Sequence, residues 1–141
     1  MIKQSLLAVT AIFISWSILD FIIHGILLQS TYEATAELWR PMEEMKMSLM
    51  YVVTLLFAAC FVTIYGLLVT QKSLASGIIF GVLFGLATGI SMGFGSYSYM
   101  PIPLELAWSW FFGSLIQAIV AGVIVGVVVN LKSSVDRYSN K

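Results

Sequence analysis

Apolar positions along this chain gather into four long runs, over residues 5–28, 47–70, 74–96 and 104–131. None of them alternates apolar and polar residues in the way a half-buried strand does. About 20 predominantly apolar residues carry a helix across the ~30 Å hydrocarbon layer, where every backbone group must be bonded within the chain. The pattern predicts an all-α integral membrane protein, a four-transmembrane-helix bundle built as two antiparallel hairpins in a single membrane domain. The first run is longer than the ~7–15 residues of a signal-peptide core, and Asp20 and His24 interrupt it, so it reads as a retained first span.

The polar stretches between the runs are patterned too. Ser30 followed by Glu33 has capping-box spacing, which predicts a short interfacial helix over about 30–40 in the first outer connection. Arg40-Pro41 breaks it, and Pro41 suits the first position of the next helix. Glu43 and Glu44 then fall in that helix's first turn, so the second span is expected over about 42–70, projecting beyond the membrane. Pro103-Leu104-Glu105 repeats Pro41-Met42-Glu43, which reads as one capping chemistry used twice, with a parallel internal repeat as the alternative.

Composition sharpens the membrane reading. The chain is 60% hydrophobic and 10% charged, against roughly 25% charged in soluble domains, and its mean hydropathy is +0.97. Formal net charge is zero, so nothing points to nucleic acid. The single cysteine, Cys60, excludes an internal disulfide and reads as a small hydrophobe.

Orientation follows from the basic residues. Lys3, Lys72, Lys132, Arg137 and Lys141 fall on one side, and only Arg40 and Lys46 on the other, among Glu33, Glu37, Glu43, Glu44 and Glu105. The positive-inside rule places both termini, including the tail 132–141, in the cytoplasm of a bacterial-type inner membrane. Tyr32, Trp39, Tyr97, Tyr99, Trp108 and Trp110 then form an outer aromatic belt.

The third run carries Gly77, Gly81, Gly85, Gly89 and Gly93, a glycine at every fourth position in the manner of a glycine zipper. The fourth answers with Ser114, Ala118, Gly122 and Gly126. Such stripes let helix backbones approach closely. The reading is a close antiparallel pair of spans three and four, with a homo-oligomer or membrane-complex contact as the alternative use of the ridge. Gln117, mid-span, is expected to bond across to another helix.

Candidate chemistry lies in the first span. Thr10, Ser17, Asp20 and His24 are spaced as one polar seam, with Asp20 about 12 Å below the outer end. An aspartate at the centre of a membrane helix costs about 2.5–3.5 kcal/mol, which calls for a partner, a water-filled cavity or a proton. His24, one turn above, is the expected partner, oriented by the carboxylate as in metal sites and proton relays. A neutral pair that only fixes packing is the plainer alternative. The expected binding set is Asp20 and His24 beneath a lid of Tyr32, Glu37, Trp39, Arg40 and Glu44.

Met42, Met45, Met47 and Met50 form a spacing similar to the methionine motifs of copper transporters and periplasmic copper carriers. That resemblance implies a soft Cu(I) site at the methionines, and Met42 and Met45 join His24 and Asp20 of the first span as candidate metal ligands; methionine also serves as packing filler. Haem is disfavoured, because His24 is the only histidine and a bis-histidine site would need a dimer. No nucleophile-elbow sequence and no phosphate loop support an enzyme. The expectation is a small inner-membrane binding or transport component for a cation or proton, with a non-catalytic subunit of a larger membrane complex as its rival.

Overall fold

The structure, a computed structural model, describes residues 2–129. Lys132, Arg137, Lys141, the tail 132–141 and the expected last turn of the fourth span lie outside the described residues. Among the described residues every regular element is helical. Four helices are long and apolar enough to cross a membrane: α1 (Ile2–Leu27), α3 (Met47–Leu68), α4 (Leu74–Gly95) and α5 (Leu104–Val128). A short helix, α2 (Gln29–Ala34), and a 3₁₀ turn at Ala36–Leu38 follow α1.

The closest packing is between α4 and α5, and small residues make it so. Gly77 lies against the backbone of Gly122 and Gly126, Gly81 against Ala118, Gly89 against Phe111, and Gly93 against Ala107. A Cβ at Gly85 would stand 2.9 Å from the Cβ of Ala118, and one at Gly126 would stand 2.9 Å from the Cα of Leu74. The paired numbers rise on one helix as they fall on the other, so α5 runs back along α4. Ser114 departs from the expected stripe. It faces a cavity instead, and Phe111, Leu115 and Ala118 make the contact beside it.

Helix α3 completes the bundle at one end only. Its buried residues are Ala58, Phe61, Val62 and Tyr65, which join Ala8, Ile12 and Trp16 of α1 and Ala121 and Val125 of α5 in one core. Phe61 meets Phe80 and Phe84 of α4, with ring centroids 4.7 and 5.0 Å apart. From Met47 to Val53, by contrast, every residue is exposed. The start of α3 is therefore little covered by its neighbours, with Tyr51 edge-on to Phe13 of α1 at 6.4 Å, and a wedge remains at the α2 end of the bundle.

Two local expectations are corrected. Helix α3 begins at Met47, not near Pro41: Pro41 is extended, Met42–Glu44 forms a single 3₁₀ turn, and Lys46 precedes the helix. Residues 41–50 are all exposed, so nothing packs against them to prolong the helix, and short unsupported helix is marginal. The resulting 22 residues span about 33 Å, close to the hydrocarbon thickness. The Ser30–Glu33 capping box does not form either. Leu28 precedes α2 and Ser30 lies inside it, while Glu33 accepts from the side-chain amide of Gln29 at 2.9 Å. The capping box that does form is Ser73 with Ser76, at the start of α4.

Candidate functional site

Two of the long helices change winding at the same end of the bundle. Residues Phe21–Leu27 of α1 and Ile90–Gly95 of α4 are π-helical. A π segment widens the helix and turns its side chains off the α-helical course, and such segments often accompany functional sites. Both flank the wedge beside α3. A cavity of about 680 Å³ opens there, lined by all four long helices, with Asp20, His24, Ser91 and Gln117 among its polar walls.

Asp20 anchors the site on α1. The side-chain amide of Gln117 on α5 donates to Asp20 Oδ1 at 2.6 Å. The backbone carbonyl of Gln117 in turn accepts the indole N–H of Trp16 at 2.7 Å. His24 Nε2 lies 4.0 Å from Asp20 Oδ1, within ion-pair range and beyond a hydrogen bond. His24 itself lies within the π segment, so the two residues are not a regular α-helical i, i+4 pair. About two-fifths of each side chain is open, 40% for His24 and 42% for Asp20.

The other imidazole nitrogen has a fixed partner. His24 Nδ1 is 2.7 Å from the hydroxyl of Tyr32 on α2, and that hydroxyl also accepts the indole N–H of Trp110 on α5 at 2.9 Å. Since Trp110 can only donate, the Tyr32 proton is free to point at Nδ1. In the neutral imidazole this places the ring proton on Nε2, towards Asp20. Burial pushes the Tyr32 phenol above its ordinary value of 10.0, the Trp110 bond opposes that, and the Asp20 charge adds to it.

Trp39 closes the α2 side. Its ring meets Tyr32 edge-on at 5.3 Å and Trp110 at 6.1 Å, and its N–H donates to Thr35 Oγ1 at 2.9 Å. Thr31 holds α2 down by donating to Glu105 of α5 at 3.1 Å.

Among the described residues, the one charged group on the cavity wall is negative. Asp20 contributes a carboxylate. Thr54 and Thr88, on α3 and α4, spend their hydroxyl protons on the carbonyls of Met50 and Phe84 one turn back, at 3.0 and 2.9 Å, which leaves lone pairs to face the space they line. No Lys or Arg lines it among the described residues. The electrostatics suit a positive guest.

Of the residues singled out by sequence, the structure brings together Asp20, His24, Tyr32 and Trp39. Glu37, Arg40 and Glu44 are exposed on the connection and take no part in the network. Met42 and Met45 lie in that connection as well, 81% and 38% exposed, and neither lines the cavity. Among the described residues no cluster of three His, Cys, Asp or Glu side chains could hold a metal ion. Thr10 leaves the expected seam: it is exposed and donates to Leu6 O at 2.9 Å, because ten residues of α-helix carry it about 80° round the axis from Asp20. Ser17 Oγ is buried without a partner.

Sequence reasoning passed over Trp110 as a partner of Tyr32, and Thr54 and Thr88 as cavity walls. A depth comparison exposes the last two, since Asp20, Thr54 and Thr88 each lie seven residues from the α2-side end of their own helix. No protein-family model, no curated protein and no solved structure matches this chain.

Proposed function

We propose that this chain is a small membrane-embedded binding or transport component whose site takes a cation or a proton at Asp20, with His24 as its neighbour. The orientation that basic residues favour puts both termini in the cytoplasm of a bacterial inner membrane and the site in the outer leaflet. The observation that carries the reading is the cavity, free of Lys and Arg among the described residues, around a carboxylate whose one strong partner is the neutral amide of Gln117. A carboxylate at this depth costs about 2.5–3.5 kcal/mol, and a guest cation or a proton offsets that cost. His24, tied through Nδ1 to Tyr32, presents Nε2 to the same space and can pass or hold a proton there.

A second reading, an accessory subunit of a larger membrane complex, draws on the exposed start of α3. Met47–Val53 would be covered by a partner helix. The glycine ridge is already filled by α5, so such a partner would dock on α3.

Reconstituted vesicles separate the two. With a pH-sensitive dye inside and a cation gradient imposed, the wild-type protein should move the dye signal. Asp20→Asn and His24→Gln should each abolish the movement while staying folded. A folded wild type that moves and binds nothing, with Asp20→Asn as stable or more so, would favour the subunit reading.

A further inference from the structure

We propose that the guest is a bulky organic cation of the ammonium type, paired with Asp20 and bordered by aromatic rings. This rests on the reading of the cavity as a cation site and adds the chemical class.

Size is the first argument. About 680 Å³ falls in the ~300–1,000 Å³ range of cavities that hold drug-sized ligands, many times the ~30 Å³ of a water molecule. A bare ion would leave most of it unfilled. The donor set is the second. Zinc takes Cys, His and carboxylate ligands and calcium several charged oxygens, whereas the cavity offers one carboxylate, one imidazole with a nitrogen already committed to Tyr32, and otherwise neutral hydroxyls and the Gln117 amide. A single negative charge leaves a dehydrated divalent ion poorly neutralised and matches one positive charge on a large body.

The walls supply the third. Trp16, Phe57, Phe84, Tyr99 and Trp110 all border the space. Trp16 and Phe57 stand with centroids 5.5 Å apart, and Phe57 and Phe84 likewise at 5.5 Å, so the rings form a run of apolar wall that begins one turn from Asp20. Aromatic faces attract ammonium cations, most strongly where water is excluded. An inorganic ion keeps its hydration shell and gains little from such rings. An alkylated or arylated ammonium buries its apolar substituents against them and brings its charge to the carboxylate. The wedge beside the exposed start of α3, Met47–Val53, gives such a guest an apolar way in.

Calorimetry on the purified protein in detergent tests this with two ions of one shape and opposite charge, tetraphenylphosphonium and tetraphenylborate. Wild type should bind the phosphonium saturably and the borate not at all. Asp20→Asn should weaken phosphonium binding at least about tenfold, and Phe84→Leu, which keeps the bulk and removes the ring, by about three- to tenfold. Circular dichroism and thermal unfolding establish that each variant is folded, and the comparison of the two ions on the wild type needs no variant. Equal binding of both ions, or phosphonium binding unchanged in folded Asp20→Asn, overturns the proposal by showing an apolar slot indifferent to charge. Asp20-dependent binding of sodium or magnesium without phosphonium binding overturns the organic class and leaves the cation site standing. No Asp20-dependent binding of any of these, and no proton uptake, overturns both.

Discussion

The side-chain amide of Gln117 donates to the carboxylate of Asp20 at 2.6 Å, joining α5 to α1 across the interior of the bundle. Neither group has a second strong polar partner at that distance, so each sets the other's position. Removing one should leave the other unsatisfied in apolar surroundings. Gln117→Leu should therefore destabilise the protein by about 1–3 kcal/mol. A double-mutant cycle with Asp20→Ala and Gln117→Ala in detergent should return a coupling of about 0.6–2 kcal/mol. Additive effects would mean that the bond contributes nothing to folding.

Tyr32 links His24 to Trp110, so Tyr32→Phe removes two bonds at once. Thermal unfolding near neutral pH should show a loss of about 1–3 kcal/mol. The variant should also change the alkaline limb. Burial raises the folded phenol above 10.0, so the neutral form contributes stability that is full below pH 10.0 and is lost as pH rises through the higher folded value. Wild type should lose that increment on alkaline titration and Tyr32→Phe should lack it. Identical alkaline limbs would place the phenol in water.

Glycine substitutions should rank by what a methyl group would meet. At Gly77 and Gly81 it runs into backbone carbonyls of α5, whereas at Gly85 it meets the side chain of Ala118 first, and at Gly66 nothing lies within 4 Å. Gly81→Ala should cost about 1–3 kcal/mol by overpacking and Gly85→Ala less. Gly66→Ala should be neutral or gain up to about 1 kcal/mol from helix propensity. Gly85→Leu should be worse than Gly85→Ala. Equal tolerance of Leu and Ala at Gly85 would contradict the α4–α5 contact.

For orientation, a cysteine at the exposed Ala36 in a Cys60→Ala background should react with a membrane-impermeant thiol reagent in intact cells. One at Gln71 should react only after permeabilisation. The reverse pattern would move the cavity to the cytoplasmic leaflet.

Spacing alone made much of this bundle readable. The four apolar runs are nearly uninterrupted, and the glycines at Gly77–Gly93 leave a helix few other ways to pack in lipid. What the spacing could not supply was any relationship that depends on a third element. Gln117 carries its need for a bond in its position, but its partner lies 97 residues away. Tyr32 was expected as part of a lid; its place between His24 and Trp110 depends on how α2 folds onto α5. The π segments at Phe21–Leu27 and Ile90–Gly95 have no marker in apolar sequence, and of the seam residues only His24 lies within one of them. Exposure of the start of α3 was equally hidden, because lipid-facing and buried residues are both apolar.

The proposed function requires Asp20 to be a carboxylate that meets cations within the apolar layer. A hydrophobic carbodiimide modifies such carboxyl groups, and peptide mass spectrometry locates the adduct. Asp20 should be labelled in the wild-type protein in detergent, ahead of the exposed Glu33, Glu37, Glu43, Glu44 and Glu105. Saturating amounts of at least one member of a panel of alkali, alkaline-earth and organic ammonium cations should slow that labelling several-fold. Labelling of Asp20 at one rate throughout the panel, or no labelling of Asp20 at all, would contradict a cation site at this carboxylate.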